Sequence, residues 1–283
     1  MVIESLTNPF KAEEKPWTLI LIGIIYSTLG AFLSLWIFRE YASLVMIFLI
    51  SFACVPLIYA TIKFEEKKNF QILKESVLLK EHGKALSFMM FLFLGITISL
   101  TFWYLVFPPD ISAQLFSVQT NTITNINNQV SGNAITSSTI LARIFLNNFK
   151  VLLFCLLFSF IYGLGAIFIL TWNASVIAAA LGNFIRSHVS ELVSAVGLLK
   201  VGAYLQVASL GFFRYAIHGF PEILAYFVGG LAGGIISIAV IRHDFNTPNF
   251  SRIVFDSADL IMVAIALLVF AAIIEVYITP VLF

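Results

Sequence analysis

The chain has 283 residues, 60% of them hydrophobic and 29 of them Phe, with a mean hydropathy of +0.99 and a net charge of +1. That is more apolar surface than one soluble core can bury, and so small a net charge provides no basic field for nucleic acid. A soluble fold and a nucleic-acid partner are both excluded; an all-α, polytopic transmembrane helical bundle is expected, because helices satisfy their own backbone in lipid and no stretch alternates as a barrel strand would.

About 20 apolar residues cross the bilayer core. That length fits seven times along the chain, at 17–38, 41–62, 85–107, 149–171, 192–213, 220–241 and 257–279. The count falls to six if 192–213, which contains Lys200, does not cross. Lys11 and Lys15 precede the first span, and Lys63, Lys67, Lys68, Lys74, Lys80 and Lys84 lie between the second and third. Both segments are expected in the cytoplasm, which sets a cytoplasmic N-terminus. Counting onward puts 108–148 outside, 172–191 inside, 214–219 outside and 242–256 inside. The first span follows a charged segment and is too long for a signal core, so no cleavable signal is expected. Cys54 and Cys155 fall within spans and read as small core residues rather than a disulfide framework.

Three divisions follow. Residues 1–107 read as a three-span block whose cytoplasmic insert, 63–84, carries Phe70, Leu73 and Val77 at helical spacing among Lys and Glu. This insert reads either as a solvated linker helix, the Glu65-Glu66 pair included, or as an amphipathic helix that lies on the inner leaflet or docks a partner. Residues 108–142 form an extracytoplasmic stretch rich in Asn, Thr and Ser, expected to be disordered or a weakly ordered cap. Residues 143–283 hold four further spans.

Within that last block the richest stretch is Arg214 to Gly234. Arg214, His218 and Glu222 stand at the mouth of an apolar helix, where ionisable groups are costly and functional sites are sought. Pro221 suits a first helical turn, and Glu222 would then lie in the field of that helix's N-terminus. The pairs Gly229/Gly233 and Gly230/Gly234 offer a small-xxx-small face for close helix packing. On the sequence count Asn147, Asn148, Lys150, Arg214, His218, Glu222 and Glu275 gather toward one leaflet, with Lys150 and Arg214 balancing Glu222 and Glu275.

The second half also resembles a known family. Asn147-Asn148 opening a span, Gly163-x-Gly165 within it, Asn173 after it, His218-Gly219 with Glu222, and Glu275 with Thr279-Pro280 are together similar to the stage II sporulation protein M family over about residues 143–283. One departure is Phe220-Pro221 between Gly219 and Glu222, where the family's usual Pro precedes His-Gly. The resemblance implies a non-enzymatic multi-pass component of the cell membrane; the namesake in spore formers belongs to an engulfment complex with cell-wall-cleaving partners. Expected partners are therefore the lipid bilayer and other membrane or envelope proteins, with self-association of the chain allowed.

Chemistry is not expected from the residues. His218-x-x-x-Glu222 and His188-x-x-Glu191 have ligand-like spacing but fall on opposite membrane sides in the count, and a zinc site takes three or four protein ligands. No phosphate loop, dinucleotide fingerprint or nucleophilic triad appears, so no catalytic residue, metal or cofactor is assigned. The alternative reading is a transporter or channel for an ion or small solute, which would place polar groups near the midplane; 173–182, apolar and too short to cross on this count, would suit a re-entrant segment.

Overall fold

The structure, a computed structural model, describes residues 15–71, 75–131, 137–162, 166–191, 198–241 and 248–282. Helices α1 (Thr18–Ile37), α2 (Ala42–Gln71) and α3 (Glu75–Val106) come first, with a 3-10 turn, Arg39–Tyr41, ahead of α2. The short helices α4 (Pro109–Leu115) and α5 (Ser117–Ser131) precede α6 (Ser137–Tyr162), α7 (Ala166–Glu191), α8 (Leu198–Ile241) and α9 (Pro248–Ile273). A π turn, Ile274–Ile278, leads into α10 (Thr279–Leu282). Among the described residues seven helical stretches are long and apolar enough to cross a membrane, so the chain is the multi-span helical protein its composition demands.

These seven are not the seven expected lengths. α6 ends at Tyr162 and α7 starts at Ala166, which divides the expected span 149–171 between two helices. The stretch 172–191, expected as a cytoplasmic or re-entrant segment, belongs to a crossing-length helix, Ala166–Val189. The expected spans 192–213 and 220–241 are not separate either: from Leu198 onward both belong to α8, which continues through Pro221 to Ile241. Hydropathy explains the error, because an apolar window slides freely where no charge marks a helix end. Lys200 lies in the first turn of α8, ahead of its membrane-crossing stretch, Tyr204–Ile241.

Small residues bring the helices together. A Cβ on Gly95 of α3 would lie 2.3 Å from the Ile20 carbonyl oxygen, and one on Gly23 of α1 would lie 2.6 Å from that of Leu92. Only bare backbone permits that approach. Ser27 spends its hydroxyl on the Gly23 carbonyl at 2.6 Å, while Thr28 meets Ser99 at 3.1 Å and accepts from the Trp103 indole at 3.0 Å. At the centre lies the second half of α8, every residue of which is buried from 225 to 235. A helix buried on all sides carries no polar stripe, which its composition of Gly, Ala, Leu and Ile reflects. Cys54 and Cys155 are free thiols in this core.

The lysine-rich end differs from expectation. Glu65, Glu66, Lys68 and His82 are buried where α2 and α3 extend toward each other, rather than solvated. Glu65 takes the Lys68 ammonium at 2.6 Å on one oxygen and meets His82 Nδ1 at 2.7 Å on the other, while Glu81 accepts from Lys84 at 2.6 Å. Paired charges tolerate burial where single ones do not. The side chains of Phe70, Leu73 and Val77 lie outside what the structure describes.

At the opposite end 109–131 is helical and tied down, not a loose loop. Gln119, fully buried, accepts from Ser43 at 2.7 Å and donates to Ser175 at 3.1 Å, linking α5 to α2 and α7. Arg186 of α7 donates to the carbonyls of Tyr104 and Phe107 and to the Ser112 hydroxyl. Carbonyls at a helix C-terminus lack partners within the helix, and the guanidinium supplies them. The sequence count put Arg186 with the lysines; the structure puts it at the other end of the bundle.

Candidate functional site

Five of the seven site residues chosen from sequence, Asn147, Asn148, His218, Glu222 and Glu275, converge between α6, α8 and the chain's end. α6 and α8 run parallel: Asn148 stands by Glu222, Leu152 by Gly229 and Leu156 by Gly233. The glycines make this possible. A Cβ on Gly229 would meet the Leu152 side chain at 2.3 Å, and one on Gly233 would meet the Leu156 carbonyl oxygen at 2.8 Å. Gly230 faces Ala166 of α7 at 3.1 Å by the same measure, and Gly234 is buried. Gly163 and Gly165 lie outside the described residues.

Close approach then sets the polar geometry. Tyr226, one turn after Glu222 and fully buried, donates its hydroxyl to Glu222 Oε1 at 2.7 Å. Asn148, only 6% exposed, is a second hydrogen-bonding neighbour of the same carboxyl. Asn147 donates to Asn148 Oδ1 at 3.4 Å. From α9 the chain returns antiparallel, and the π turn widens its last turns so that Glu275 faces Glu222 and Thr279 reaches His218 Nδ1 at 3.4 Å. Thr279 also bonds back to the Ile274 carbonyl at 3.2 Å. A π turn adds a residue to the helical ring, and such widened turns gather at functional sites.

The expected charge balance is not there. Lys150 is exposed, two residues from Asn148 and so on the far side of α6. Arg214 is exposed as well, its guanidinium 5.9 Å from the Phe184 ring. Among the described residues neither cation pairs with Glu222 or Glu275; the Glu222 carboxyl meets a hydroxyl and an amide instead. The depth differs too. Pro221 does not open a helix: it lies inside α8, and Glu222 falls near the middle of Tyr204–Ile241, opposite the middle of Ser137–Phe160. Proline removes one donor, and a membrane helix tolerates that where neighbours re-satisfy the freed carbonyl.

Two participants were missed. Tyr226 stands at the i+4 spacing from Glu222, which a helix-face reading would have supplied. Thr279 stands out in the sequence only as part of a motif, and its link to His218 depends on the π turn, which no sequence period announces. The arrangement is a network of neutral donors and acceptors around two facing carboxyls, binding three helices to one another.

A family model described as Stage II sporulation protein M matches residues 85–280. The match begins earlier than the resemblance read from motifs, taking in α3 and the α4–α5 segment. No curated protein and no solved structure matches the chain.

Proposed function

Because the chain belongs to the stage II sporulation protein M family, we propose that it works as a non-enzymatic membrane scaffold, a partner-binding component in organising the cell membrane or envelope. The observation that carries this reading is Lys150. It is exposed near the middle of a membrane-crossing helix, with Leu146, Leu153, Phe154 and Leu157 exposed around it on α6. An ammonium facing hydrocarbon is costly and calls for an acidic or polar group to cover it. The inward-turned network of Asn148, Glu222 and Tyr226 then serves as the brace that fixes α6 in place, and the outward face serves as the contact.

The test separates brace from contact. Lys150→Leu should cut recovery of a co-purifying membrane partner at least fivefold per folded molecule, Lys150→Arg should restore it, and Glu222→Gln should instead lower stability. Unchanged recovery with Lys150→Leu overturns the reading.

A second reading is favoured by the depth of Glu222. Two carboxyls, an amide, a phenol and an imidazole inside the bundle are the groups from which intramembrane ion or proton paths are built. Ion or proton flux into liposomes, lost in Glu222→Gln, would replace the scaffold by a transporter.

A further inference from the structure

Between α3, α7 and α8 lies a cavity of about 600 Å³, separate from the polar network. Gly83, Met90 and Leu94 of α3 form one wall, and Leu181, Phe220 and Leu224 of α7 and α8 face them. Met90, Leu94 and Leu224 are only half-buried, so this is an open cleft and not a sealed void. All of its lining belongs to membrane-crossing stretches, so hydrocarbon and not water lies at its opening. Protein interiors are packed as densely as organic crystals, and a space this large is beyond a packing flaw.

We propose that this cleft seats one acyl chain of an anionic bilayer lipid, entering sideways from the membrane with its headgroup at Lys84. Length favours a lipid: from Gly83 to Thr97 the α3 wall runs about 21 Å at about 1.5 Å per residue, and one leaflet with its interface is about half of the full 40–45 Å. Charge fixes the direction. Lys84 is exposed at the Gly83 end, one turn before the cleft-lining Ser87, and its bond to Glu81 at 2.6 Å leaves ammonium donors for a phosphate. Glycine keeps the cleft open from both sides, since a Cβ on Gly83 or on Gly219 meets nothing within 4 Å.

Glycine also gives the test its variants, because a Cβ at either position enters the cleft without striking the bundle. The full chain is reconstituted in phosphatidylcholine vesicles with a trace of phosphatidylglycerol bearing a diazirine midway along one acyl chain, irradiated, and its adducts mapped by mass spectrometry. Adducts on Met90, Leu94 and Phe220 should exceed those on the open α2 face at Phe48 and Phe52 at least threefold. Gly219→Leu, and independently Gly83→Leu on the opposite wall, should remove that excess and leave the Phe48 and Phe52 adducts unchanged. The same probe on phosphatidylcholine should label the cleft at least threefold less. Cleft labelling no higher than the open face, as when a second copy or a partner's helix fills it, overturns the proposal; so does an excess that both filled variants retain, or one indifferent to the headgroup.

Discussion

The hydroxyl of the fully buried Tyr226 lies 2.7 Å from Oε1 of the half-buried Glu222, one helical turn along α8. With the Asn148 amide, this contact stands where charge counting places a salt bridge, and it makes the site a matter of neutral donors.

Tyr226→Phe should therefore destabilise the protein by about 1–3 kcal/mol, the cost of leaving a buried acceptor without its donor. In a double-mutant cycle with Glu222→Gln, melting in detergent should show coupling between positions 222 and 226. The cycle between Glu222 and Lys150 should be additive. Coupling in the second cycle alone would restore the ion pair.

Glycine substitutions should sort by what surrounds them. Gly95→Ala and Gly233→Ala drive a Cβ against backbone at 2.3 and 2.8 Å, which should cost about 1–3 kcal/mol or more through forced helix separation. Gly219→Ala meets open space and should be neutral or stabilising by up to about 1 kcal/mol. Thermal unfolding of the three variants decides it, and equal losses would refute the packing described for α1, α3, α6 and α8.

Arg186→Gln should loosen the α3–α4 corner while leaving the membrane core intact, because a charged donor to three oxygens is worth about 1.5–3 kcal/mol per bond. A cysteine at Asp110, in a cysteine-free background, should react faster with a polar thiol reagent once Arg186 is changed. No change in rate would mean the corner is held by α5 alone.

Sidedness is the fourth expectation. Cysteines at Asp110 and Ser187, both exposed near Arg186, should label from the same side, and one at Lys63 from the other. If the lysine-rich end is cytoplasmic, an impermeant reagent on intact cells reaches Asp110 and Ser187 and not Lys63. Opposite labelling of Asp110 and Ser187 would contradict the path of α7.

Much of this was legible in sequence because the bilayer imposes one simple length. Seven apolar stretches, Glu222 with Asn148 as polar residues of interest, and the glycine face of α8 all follow from local chemistry. Helix ends did not follow. Between Phe149 and Leu170 one charge, Lys150, interrupts an apolar run, so nothing told the window where α6 stops. Pro221 reads as a helix start because proline suits first turns, yet inside a bundle it forfeits only one donor. Gln119 was illegible for another reason: its partners, Ser43 and Ser175, lie 76 and 56 residues away. A polar residue in a polar stretch gives no sign of burial until distant helices close over it.

Arg186 carries a consequence for how the chain assembles. The carbonyls it caps at Tyr104 and Phe107 leave the ribosome first, and Arg186 follows 82 residues after Tyr104. At translation rates of about 5–20 residues per second, the end of α3 waits about 4–16 s for its cap. Until α7 has been threaded into the bilayer, those carbonyls have the Ser112 hydroxyl, at 2.9 and 3.3 Å, but not the guanidinium. Closure of that corner, together with the Gln119–Ser175 bond, is what ties the three-span first half of the protein to the second.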